Sequence, residues 1–129
     1  MPENLTGVWQ GLYTYPSRDM RVMFGATLIE SASWLSGSTH EECPIGPEKG
    51  QTLYATLLGT RNGSLITFTK TYDGSSPRYR SVQYEGTLSS EATEIEGRWM
   101  TSATWSGRFL MIRSNGKTQE IERKVFERI

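Results

Sequence analysis

The chain reads as an all-β protein: a closed, antiparallel, eight-stranded up-and-down barrel followed by a short C-terminal helix. Three observations predict it. Apolar side chains alternate at a period of two along most of the 129 residues, the spacing of half-buried strands. Four tryptophans, six tyrosines, four phenylalanines and 13 glycines supply large rings and tight turns, which suits a β shell around a compact interior. Turn signals recur evenly with no helical period between them, as in a meander of hairpins.

Taken in order, the predicted strands span residues 5–15, 21–30, 34–41, 52–60, 65–71, 78–88, 94–101 and 105–113. Cys43-Pro44-Ile45-Gly46-Pro47 and Asp73-Gly74-Ser75-Ser76-Pro77 are the longer connectors, where proline forbids central-strand pairing. Asn62-Gly63 is the strongest hairpin signal, because a two-residue type I′ turn needs positive φ at both central positions. Centred there, it predicts Gly59 opposite Ile66, Leu57 opposite Phe68, Ala55 opposite Lys70 and Leu53 opposite Tyr72. From 118 to 129, Ile121, Val125 and Ile129 recur every fourth residue among Glu and Arg. That predicts an amphipathic helix with Thr118 or a neighbour as N-cap. No linker or charge block divides residues 1–129, which are expected to form one domain.

Several function classes fall away. Fourteen basic and 14 acidic side chains leave no net charge, so the broad positive field needed for nucleic acid or an anionic membrane is missing. Cys43 is the single cysteine, which excludes an intramolecular disulfide. Met1-Pro2-Glu3-Asn4 has neither the basic nor the apolar region of a secretory signal. With no apolar run near the ~20 residues of a membrane helix, a cytoplasmic location is the default expectation.

His40-Glu41-Glu42-Cys43 places metal-ligating types in a row. Adjacent strand residues point to opposite faces, however, so His40 and Glu41 do not reach one ion. There is no second histidine, and His40 is read as a surface imidazole; the chain is expected to hold no metal or cofactor. Serine or cysteine nucleophiles would have only His40 as base, and no nucleophile elbow surrounds a serine. No catalytic residue is assigned. An isomerase or cyclase reading survives on Tyr13, Tyr15, Tyr72 and Arg80, whose phenols and guanidinium donate to developing oxyanions.

The strand period sorts inside from outside. One barrel end collects Trp9, Leu28, Leu35, Ile66, Leu88, Ile95 and Met111, all apolar. The other collects Tyr13, Tyr15, Thr39, Glu41, Lys70, Tyr72, Arg80, Thr101 and Trp105, beside the two long loops. A buried charge without a partner costs on the order of several kcal/mol, so Glu41, Lys70 and Arg80 are not filler. They form a salt-bridged, water-filled mouth, point outward at frayed strand ends, or make a pocket in which Arg80 or Lys70 takes an anionic or polar head while aromatic walls take an apolar body. Outside, Val8, Leu12, Met23, Ile29, Leu110 and Ile112 form an apolar stripe across strands one, two and eight. Either the C-terminal helix covers it, through Ile121, Val125 and Phe126, or a second subunit does, giving a homo-oligomer.

Gly7-Val8-Trp9, Gly97-Arg98-Trp99 and Trp105-Ser106-Gly107 each set a glycine two places from a large ring, the small/large alternation that fills a tapering barrel. With Gly7-x-Trp9 on the first strand and Arg113 ending the last, the chain resembles the calycin superfamily of lipocalins, fatty-acid-binding proteins and avidins. The run Ala103-Thr104-Trp105-Ser106-Gly107 also looks like a late strand of avidin-type barrels. The resemblance covers residues 5 to 113 and implies a barrel floor in which Arg113 packs over Trp9. The expected function is non-catalytic binding of a small, partly apolar ligand by Tyr13, Tyr15, Glu41, Lys70, Tyr72, Arg80, Trp99 and Trp105. The alternative is a module that grips a peptide at the same mouth.

Overall fold

The structure is a computed structural model that describes residues 4–16, 20–74, 81–102, 105–114 and 118–128. Eight strands follow one another: β1 (Gly7–Thr14), β2 (Arg21–Ser31), β3 (Trp34–Glu42), β4 (Thr52–Asn62), β5 (Leu65–Tyr72), β6 (Ser81–Leu88), β7 (Glu94–Ser102) and β8 (Trp105–Arg113). Each pairs antiparallel with the next, and β8 returns to β1, closing the barrel. Helix α1 (Thr118–Arg128) follows. Among the described residues no helix is long and apolar enough to cross a membrane.

The β4–β5 hairpin corrects the expected register. Asn62 pairs with Leu65, so Gly63-Ser64 forms the loop, Leu57 faces Lys70 and Ala55 faces Tyr72. Gly63 takes φ +63° while Ser64 does not take positive φ. Glycine at the first central position alone is the requirement of a type II′ turn, and Asn62 becomes the last paired residue. The displacement is two residues, which preserves side-chain parity, so every residue keeps its expected face. The first strand is shorter than expected, with Leu5 and Tyr15 flanking β1; of the sixth expected strand, 81–88 is observed and 78–80 lie outside the described residues.

Burial follows parity. At the base, Trp9, Leu28, Leu35, Ile66, Leu88, Ile95 and Met111 are buried in one cluster. Trp9 donates its indole N–H to the Leu5 carbonyl at 3.0 Å. The Arg113 guanidinium lies 5.5 Å from the centre of the Trp9 ring and donates to the Asn4 and Thr6 carbonyls, each at 2.8 Å. The arginine thereby ties the chain entering β1 across the floor. Leu5, fully buried, completes the seal, with its N–H on Glu30 Oε1 at 2.9 Å.

Helix α1 takes the centre of the outer stripe. Ile121 and Val125 bury Leu12, Leu110 and Ile112, with Met23 alongside. Phe126 stays half-exposed beneath Arg21, whose guanidinium sits 4.1 Å above its ring. Arg128 in the last turn bridges to Glu94 on β7 at 2.7 Å. Val8 and Ile29, the outer members of the stripe, remain exposed. Thr118 opens the helix, and the residues before it, 115–117, lie outside the described set, as does Ile129.

Candidate functional site

Inward parity on β1, β3 and β5 brings Tyr13, Glu41, Lys70 and Tyr72 together inside the barrel. Lys70 Nζ lies 2.6 Å from Glu41 Oε1, and both side chains are 1 % exposed. Tyr72 donates its hydroxyl to the same oxygen at 3.0 Å, and Tyr13 donates to Oε2. Around the ammonium stand the rings of Phe24 (4.8 Å), Tyr72 (4.9 Å), Tyr13 (5.1 Å) and Tyr84 (5.7 Å), measured to their centres. One carboxylate and four rings replace the water that burial removed.

This layer polarises its own titrations. Burial pushes the Lys70 ammonium below its ordinary value, against the opposing pull of Glu41. Burial is also the main cause that raises the phenols of Tyr13, Tyr72 and Tyr84, and the nearby Glu41 charge raises them further. All three therefore remain neutral hydroxyls near neutral pH, able to donate a hydrogen bond while keeping their oxygen lone pairs as acceptors.

Above the layer is a cavity of about 470 Å³ that opens at the mouth. Trp99 forms its back wall. Its indole N–H donates to the Thr14 carbonyl at 3.0 Å, which fixes the ring against Tyr13 (6.2 Å), Tyr15 (6.2 Å) and Trp105 (6.5 Å), centre to centre. Gly107 on β8 makes this possible, because a Cβ there would fall 2.5 Å from the Trp99 indole nitrogen. Of the glycines in the Gly-Trp units, Gly107 is the one that leaves room for a ring on the neighbouring strand; Gly97 instead lies against the backbone of Glu85 and Gly86. On the opposite rim, the segment after β3 folds back on itself. Cys43 N–H donates to the Gln51 carbonyl at 2.8 Å and Gly50 N–H to the Cys43 carbonyl at 2.9 Å, which lays Pro44 and Ile45 over the cavity edge.

Of the residues expected in the site, Tyr13, Tyr15, Glu41, Tyr72, Trp99 and Trp105 line this cavity. Lys70 does not. It lies one layer deeper with its ammonium committed to Glu41, which corrects the expectation that it meets a ligand head. Arg80 lies outside the described residues. Trp9 and Arg113 sit at the closed base, remote from the mouth in the strand pattern. His40 is exposed on the outer face. Sequence reasoning missed Tyr84, whose ring stacks on Phe68 at 4.8 Å and meets Phe109 edge-on at 4.9 Å, and whose outer part reaches the cavity. Its parity with Arg80 and Leu88 on the sixth strand, both expected to face inward, was the available signal. For Ile45 and Pro44 there was none, since a looped-back connector has no period.

No protein-family model and no curated protein matches the sequence. Among solved structures, the chain is similar to one described as a redesigned beta barrel, with a TM-score of 0.70 and 19 % identity over 86 % of this chain and 92 % of that one. At that identity the likeness concerns the fold alone.

Proposed function

We propose that this chain is a calycin-like barrel that binds one small, partly apolar ligand, with a polar head, in its mouth cavity, without catalysing a reaction on it. The observation that carries this reading is the 470 Å³ space walled by Tyr15, Trp99 and Trp105 above the Glu41 layer. Its volume falls within the roughly 300–1,000 Å³ of small-molecule sites, and barrels of eight strands hold about one such ligand. A peptide-gripping module would instead have a shallow mouth with little enclosed volume.

The neutral fluorophore N-phenyl-1-naphthylamine is a suitable probe. It is expected to bind with a blue-shifted emission, as in an apolar pocket. Trp105→Ala is expected to weaken that binding about tenfold, the loss of roughly one aromatic contact worth ~1.4 kcal/mol. Trp105 is 38 % exposed, so its removal leaves the barrel folded. An unchanged affinity in Trp105→Ala would place the site elsewhere. Native mass spectrometry of freshly purified protein is expected to show a co-purifying small molecule.

A further inference from the structure

Resting on that ligand-binding reading, we infer that the head group this cavity selects is a protonated amine carried on a flat aromatic body. Among the described residues that line the cavity, Glu41 is the one charged side chain. Its partner Lys70 lies beneath it and off the cavity wall. An entering ligand therefore meets the negative end of the ion pair first, surrounded by aromatic rings whose π faces are themselves electronegative.

The acceptor inventory agrees. Oε1 of Glu41 accepts from Lys70 and Tyr72, whereas Oε2 accepts from Tyr13 alone. A carboxylate offers about four acceptor positions, so one on Oε2 is left over. The Tyr13 oxygen, having given its proton to Glu41, offers lone pairs beside it. The fold also shows the same chemistry one layer down, where the Lys70 ammonium is held by this carboxylate and four rings at 4.8–5.7 Å. A ligand ammonium on the cavity side would be recognised by Glu41, Tyr13, Tyr72 and Tyr84, the members of that set that also line the cavity. A ligand carboxylate or sulfonate there would face Glu41 with no described cation on the wall to offset it.

Three naphthalene compounds that share a body and differ in the head test this by isothermal titration calorimetry: 1-naphthylmethylamine, 1-naphthylmethanol and 1-naphthylacetate. Near neutral pH the amine is expected to bind about tenfold more tightly than the alcohol, with the acetate weakest, the gain of a charge-assisted hydrogen bond and ring contacts. The double variant Glu41→Gln/Lys70→Met removes both charges together and leaves no lone buried ion. It is expected to bring amine and alcohol within about threefold of each other, since the charge-assisted term is gone. Acetate binding equal to or tighter than amine overturns the inference, and its loss in Arg80→Ala would give the head to that arginine instead. Binding of N-phenyl-1-naphthylamine with none of the three naphthyl compounds also overturns it while the cavity reading stands. If the fluorophore fails to bind as well, the cavity reading itself fails.

Discussion

Lys70→Met is expected to destabilise the protein by about 3–5 kcal/mol, because it leaves the Glu41 carboxylate buried without its cation. Two phenols still donate to Glu41, but neither carries charge. Glu41→Gln strands the ammonium instead. Its cost has a ceiling, since Lys70 can shed its proton, and doing so near neutral pH from the ordinary value of 10.5 costs about 5 kcal/mol. The double variant Glu41→Gln/Lys70→Met is expected to recover most of either loss, because removing a buried pair whole is often neutral. The retained amide oxygen still accepts from Tyr13 and Tyr72, which avoids orphaned hydroxyls. Urea unfolding followed by tryptophan fluorescence measures all three. A double variant as unstable as the sum of the singles would show that the pair is not a coupled unit.

Alkaline pH is expected to unfold the barrel steeply. A phenol whose folded pKa is raised keeps its proton in the native state after the unfolded chain has released it. Its contribution is fully present below the unfolded value of about 10 and is lost as pH rises beyond it. Tyr13 and Tyr84 are both raised and both buried. Two such groups remove about 2.7 kcal/mol per pH unit above that value, and Tyr72 adds to the slope in the same direction. Lys70 acts with the opposite sign. Its folded value is lowered, so stability rises with pH from that value up to 10.5, where the unfolded lysine also loses its proton. The profile should therefore climb gently toward pH 10 and then fall sharply. The tyrosinate absorbance that is lost in Tyr13→Phe and in Tyr84→Phe should rise together with unfolding; if that difference signal rises while the barrel is still folded, these phenols are solvated, whereas the exposed Tyr54 can contribute earlier.

The barrel, its strand order and its two chemically distinct ends were legible because parity alone decides which face each residue joins. Trp9, Ile66 and Met111 at the base and Tyr13, Glu41 and Tyr72 toward the mouth follow from counting by twos. Depth along the axis was not legible in the same way. The Gly63-Ser64 loop slides β5 by two residues relative to the Asn62-Gly63 expectation, about 7 Å along the strand. Lys70 lands opposite Leu57 instead of Ala55, farther from the rim, and its long stem carries the ammonium beneath Glu41. Parity is blind to such an even shift. Positive φ at Ala32 and Ala92, where no glycine stands, likewise has no signature in composition. The Cys43–Ile45 rim was hidden for another reason: its shape comes from hydrogen bonds between Cys43, Gly50 and Gln51, which no periodicity encodes.

The most direct test of a lumen divided by the Glu41–Lys70 layer is a crystal structure grown with N-phenyl-1-naphthylamine. One probe molecule is expected between Trp99, Trp105 and Tyr72, with none below Lys70. Density for the probe among Trp9, Phe109 and Met111, or only on the outer face near Trp34 and Leu58, would contradict it.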